Sequence, residues 1–255
     1  MNIFLLSFPI ELSIGQFSMN LHLAFELMAF FVGYRYYQYL KKHRHDPIST
    51  TNRIWIFIGA AFGAFFFSRL LGGLELPKVF FSAKADWLYY YGNKTIVGAL
   101  LGGLLCVEIT KKLINEQHSS GDLMTFPLIL GIIIGRIGCF SMGIYEETYG
   151  IETQLFTGMD LGDGLNRHPV SLYEIAFLSG LWFLLWKLKR QTPLIEGMQF
   201  QLFMIAYLAF RFSLDFIKPS YSHILNLSSI QWACLAGLMY YRNTIPRMRN
   251  FPLRL

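Results

Sequence analysis

Three short stretches of this sequence hold residues whose types and spacing could do chemistry. Tyr207, Arg211 and Asp215 recur every fourth residue inside an otherwise apolar run, so on a helix they share one face. Gly135-Arg136-Ile137-Gly138-Cys139-Phe140 sets an arginine between glycines, which permit close backbone approach and leave the guanidinium accessible. A guanidinium stays charged and offers a planar fork of donors that suits phosphate oxygens. In His168-Pro169-Val170-Ser171-Leu172-Tyr173-Glu174 the histidine could hold a headgroup or shuttle a proton. Plainer readings stand beside each. Arg211 and Asp215 could form a self-neutralising ion pair, Arg136 could snorkel toward headgroups, and Ser171 with Glu174 has the spacing of a capping box behind Pro169. His22 and Glu26 form a further i, i+4 polar pair, equally consistent with an internal pair or a site.

The elements that must position these residues follow from composition. The chain has 255 residues, 54% hydrophobic and 17% aromatic, and only 15% are charged, against about 25% in ordinary soluble domains. A mean hydropathy of +0.40 cannot be spread over a water-facing surface, so the apolar residues must lie in blocks. Seven blocks stand out, at about 19–40, 54–72, 95–110, 123–142, 170–187, 198–217 and 228–242. The expected fold is an all-α membrane protein of about seven transmembrane helices, one integral membrane domain over residues 1–255. Glycines four apart, Gly59 and Gly63, Gly98 and Gly102, Gly131 and Gly135, have the spacing of close helix packing.

Charge gives the orientation. Of the 22 Lys and Arg, thirteen fall in loops 41–53, 111–121 and 187–196 and in the tail from Arg242, while five fall in the alternate loops and none before the first block. The positive-inside rule then places the N-terminus outside and the C-terminus in the cytoplasm. The loop at about 141–169 is outward, long and acidic, with Glu146, Glu147, Glu152, Asp160 and Asp163. The net charge of +6 is thus a topology signal and implies no nucleic acid. Met1 to Gly15 lacks the basic start of a cleavable signal peptide. Cys106, Cys139 and Cys234 draw neither a disulfide framework nor a zinc spacing, and His43-Arg44-His45-Asp46 reads as a solvated cytoplasmic turn.

An arginine at the centre of a span costs about 2.5–3.5 kcal/mol, so intramembrane charge is by default a functional hypothesis. Two cationic side chains, a histidine and carboxylates near the outward leaflet point to chemistry on a phospholipid headgroup. A transporter would show inverted repeats or paired broken helices, and neither is visible.

At these residues the chain resembles the prolipoprotein diacylglyceryl transferase family, bacterial membrane enzymes that move diacylglycerol from phosphatidylglycerol to the lipobox cysteine of lipoprotein precursors. The resemblance rests on Gly135-Arg136-Ile137-Gly138 with Phe140 and Gly143, on His168-Pro169 with Leu172-Tyr173-Glu174, and on Tyr207, Arg211, Asp215, Phe216, Lys218 and Pro219. It implies a multi-pass protein of the bacterial plasma (inner) membrane, active toward the outer leaflet, whose partners are phosphatidylglycerol and lipobox-bearing precursors. Neither a metal nor an organic cofactor is implied. By the same resemblance Arg136, Arg211, His168 and Tyr207 are catalytic, and Gly135, Gly138, Glu174, Asp215, Tyr173 and the two arginines hold the lipid. His168 is the first candidate base and His22 the second. The chain departs from the family pattern where Cys139 replaces an Asn, Met142 a second Asn and Ile144 a Glu. Val97-Gly98-Ala99 stands where the family has His-Gly-Gly, with Lys94 just before it. These departures keep two alternatives open: a different acceptor, or a non-catalytic phospholipid-binding protein with Cys139 as a packing residue.

Overall fold

A computed structural model describes residues 8–14, 17–44, 46–82, 87–219 and 225–244, with the side chains of 12–14, 17–19, 87–88 and 91 excepted. His45, the first seven residues and most of the C-terminal tail lie outside the described residues. Apart from two short two-stranded ladders and one isolated bridge, the regular structure among the described residues is helical.

The chain divides into two compact units. The first comprises Met1–His45, Leu123–Leu194 and Phe216–Pro219. It opens with a hairpin of β1 (Glu11–Ile14) and β2 (Phe17–Asn20), which leads directly into helix α1 (Leu21–His43). Asn20 ends the strand because its side chain caps the helix, accepting from the His22 backbone N–H at 2.8 Å.

The second unit comprises Asp46–Asp122, Ile195–Asp215 and Ser220–Leu255. It holds α2 (Thr50–Glu75), the short α3 (Pro77–Phe80) and α4 (Trp87–Gly92), and α5 (Ile96–Leu113). In the first unit again, α6 (Thr125–Met142) packs along α1 and against α7 (Val170–Gln191), with the ladder β3 (Met159–Asp160) and β4 (Asn166–Arg167) in the loop between them. The second unit is completed by α8 (Met198–Leu214) and α9 (Ser229–Tyr240).

Helix contact in the second unit depends on missing side chains. A Cβ at Gly63 would run into the Gly102 carbonyl, and one at Gly102 into Phe67, so α2 and α5 meet backbone to backbone. The start of α8 is held from afar. Gly197 sits at φ 85°, and the Asp122 carboxylate accepts from its N–H at 2.7 Å and from that of Phe200 at 3.0 Å.

Four helical stretches among the described residues are long and apolar enough to cross a membrane: Thr50–Glu75, Thr125–Tyr145, Val170–Gln191 and Met198–Ile217. The remaining expected blocks coincide with α1, α5 and the 12-residue α9, which at 1.5 Å per residue is about 18 Å long. Polarity is inverted relative to a soluble fold. Phe30, Phe31, Phe62 and Phe183 are exposed, while Arg53, Arg136, Glu174, Arg211 and Asp215 are buried.

Candidate active site

In the first unit, Arg136 lies in the last two turns of α6 and Glu174 in the second turn of α7. Their side chains meet at 2.9 Å between Nε and Oε2, with Glu174 fully buried. A buried charge needs an opposite partner, and each of these side chains supplies one for the other. The capping-box reading of Ser171 and Glu174 is thereby settled. Pro169 is the N-cap of α7, no side chain caps it, and Glu174 has turned to the arginine.

On its other side Arg136 reaches sulfur: Nη1 donates to Cys139 Sγ at 3.5 Å. The Cys139 thiol in turn lies 3.8 Å from Glu146 Oε1. The second oxygen of Glu146 meets His22 Nδ1 at 2.9 Å, and His22 Nε2 lies 3.8 Å from Glu26. One donor atom each from His22, Cys139 and Glu146 lies within 4.8 Å of the others. Gly138 makes this convergence possible. A Cβ there would meet the Phe25 Cβ at 2.9 Å and the His22 carbonyl at 3.2 Å, so only glycine lets α6 approach the first turn of α1 so closely. Gly135 differs, since a Cβ built there meets nothing within 4 Å.

His168 and Tyr173 also come together in the first unit. His168 Nδ1 lies 3.1 Å from the Tyr173 hydroxyl, which lies 2.6 Å from Thr157 Oγ1. The loop holds the histidine through its backbone, whose N–H donates to the Ile151 carbonyl at 3.1 Å. Between Cys139 and the α7 start lies a shallow cleft, lined also by Thr148, Tyr149, Pro169, Val170 and Ser171. Gly143, which ends α6, has φ 58°, and a Cβ there would strike the Leu161 carbonyl.

The second unit holds its own polar group. Tyr207 and Arg211 lie buried on α8, and Arg211 Nη2 approaches Asp215 Oδ1 at 3.8 Å. Asp215 also accepts a short hydrogen bond from Ser228, the N-cap of α9, whose capping box with Gln231 is complete. Tyr207 is fully buried, its ring stacked on Phe203.

The sequence motifs thus bring Arg136 to Glu174, His168 to Tyr173, and Arg211 to Asp215. Sequence reasoning missed Ser228, named Glu146 only as part of the acidic loop, and paired His22 with Glu26 but not with Cys139. The available signals were a polar pair in the first block and a carboxylate seven residues after Cys139. At the family's His-Gly-Gly position, Val97 is a buried apolar residue, and a Cβ at Gly98 would meet the Phe67 carbonyl.

The chain is similar to known proteins of one name. A protein named phosphatidylglycerol-prolipoprotein diacylglyceryl transferase from Nitratidesulfovibrio vulgaris strain Hildenborough is 36% identical over 151 residues, covering 52% of this chain and 55% of that protein. One of the same name from Ehrlichia ruminantium strain Welgevonden is 29% identical over 224 residues, covering 82% of this chain and 83% of its own. The match thus spans about half the length of the first relative and most of the second. No solved structure matches the chain. The family described as prolipoprotein diacylglyceryl transferase matches residues 9–242, and the chain belongs to that family.

Proposed function

We propose that this protein transfers a diacylglyceryl group from phosphatidylglycerol to the lipobox cysteine thiol of prolipoproteins. The observation that carries the proposal is Arg136, buried on the family's glycine-flanked motif and held by Glu174. A thiol of pKa about 8.5 must lose its proton before its sulfur can attack the glycerol carbon that bears the phosphate. As the carbon–sulfur bond forms, the carbon–oxygen bond to phosphate breaks and glycerol phosphate leaves with the electron pair. Arg136 stabilises the charge on that leaving group. Glu174 orients the guanidinium, and Gly135 leaves room beside it. His168, steadied by Tyr173, is the base that takes the thiol proton.

The roles of Arg211, Tyr207 and Asp215 rest on the sequence motif: a second cation for phosphate, a hydroxyl donor, and a carboxylate orienting the arginine. Seven spans, an outside N-terminus, a cytoplasmic C-terminus and a single membrane domain belong to the same proposal, with the site toward the outer leaflet of the bacterial inner membrane. The outward loop at about 141–169 then carries His168 and Glu146.

The test offers labelled phosphatidylglycerol and a lipobox peptide to purified protein. A lipidated peptide, lost with Arg136→Ala, is expected, and none at all would overturn the reading. A second reading keeps the phospholipid donor and changes the acceptor. Cys139 in place of the family Asn, with an apolar Val97 in place of its His, favours it. Lipid analysis of cells with and without the protein separates the two: a changed lipid beside unchanged lipoproteins selects the second.

A further inference from the structure

We propose that His22, Cys139 and Glu146 form a binding site for a thiophilic divalent cation of the zinc class. An imidazole nitrogen, a thiol sulfur and a carboxylate oxygen converge within 4.8 Å, and these three donor types together suit zinc. Three protein donors leave a fourth tetrahedral position open, the pattern of a reactive rather than a structural site. The site is partly open, with His22 and Glu146 side chains 19% and 30% exposed, so an ion can reach it.

The surroundings fit a cation. Glu26, 3.8 Å from the other ring nitrogen of His22, stands where a carboxylate orients a metal-binding imidazole. Arg136 is ion-paired to Glu174, which offsets its charge beside the ion. Charge balance points the same way. Glu26 and Glu146 bring two carboxylates to one imidazole. A divalent ion with neutral His22, ionised Glu146 and thiolate Cys139 makes a neutral complex. Its binding releases the thiol proton to water.

The site does not depend on the transferase reading, since metal binding is measured without activity. The experiment titrates cobalt(II), then zinc, into the full detergent-purified chain. A thiolate-to-cobalt charge-transfer band saturating at one equivalent, and bleached by zinc, is expected. Cys139→Ser should remove the band, while Cys106→Ser and Cys234→Ser keep it. Glu26→Gln should keep the band and weaken affinity by about 10–100-fold. Absence of the band in the wild-type chain, with helical circular dichroism intact, overturns the proposal. So does its persistence in Cys139→Ser.

Discussion

Arg53 and Arg136 are both buried arginines facing carboxylates, yet they differ in what completes their surroundings. Arg53, in the first turn of α2, places Nη2 at 2.6 Å and Nε at 2.8 Å from the two oxygens of Asp46, and Nη1 donates to the Ser120 carbonyl at 3.0 Å. Every nitrogen is matched to a hard oxygen in a closed clamp. Arg136 is held by one carboxylate and then turns to sulfur, beside an imidazole and a second carboxylate. Burial of charge therefore does not identify a reactive site. The chemistry of the neighbours distinguishes the two, and of this pair Arg136 is the one that lies beside a thiol.

The comparison breaks first at the arginines themselves. Arg136→Ala should lower the transfer rate by on the order of 10²–10³-fold in protein that still folds. Arg53→Ala should leave turnover per folded molecule unchanged and cost about 3–5 kcal/mol of stability, because the largely buried Asp46 carboxylate loses its guanidinium. Equal losses of turnover in both variants would erase the distinction.

The two glycines of the Arg136 motif sharpen it next. Gly138→Ala should destabilise by about 1–3 kcal/mol, because the new methyl group presses on Phe25 and the His22 backbone. Gly135→Ala should fold at least as well as the parent, gaining about 0.5–1 kcal/mol of helix preference, and raise KM for phosphatidylglycerol. A thermal melt and a substrate titration on each variant separate packing from ligand approach.

The smallest effect lies near the Arg53 clamp. Hydrogen bonds from the Asn52 side chain and from His118 hold the Glu116 carboxyl down to about 2, from an ordinary 4.5. A depressed carboxyl stabilises the fold fully above its unfolded value. That contribution should fade as pH falls from about 4.5 toward 2 and should be missing from Glu116→Gln. Parallel acid-unfolding curves for the two proteins would show that this corner carries no such anchor.

Much of this arrangement was legible in the sequence because it is local. Arg211 and Asp215 are one helical turn apart, and the apolar blocks at 123–142 and 170–187 match α6 and α7 closely. Spacing misleads where two local rules share a signature. Ser171-x-x-Glu174 fits a capping box, but a carboxylate buried beside a guanidinium gains more from the ion pair than from a backbone N–H. Contacts between distant segments were not legible. Ser228 finds Asp215 from the next helix, and His22 meets Cys139 and Glu146 across more than a hundred residues. No periodicity encodes such meetings. Gly138 was visible as part of a motif, but its duty as the contact between α6 and α1 appears only when the facing backbone is known.

That contact has a mechanical consequence. At Gly138 α6 offers no side chain and faces the Phe25 Cβ and the His22 backbone, atoms that have no rotamers over which to average. The separation between imidazole and sulfur is therefore set by the stiffness of two abutting rods. A substitution that wedges those rods apart would change the reactivity of the thiol without replacing any atom near it.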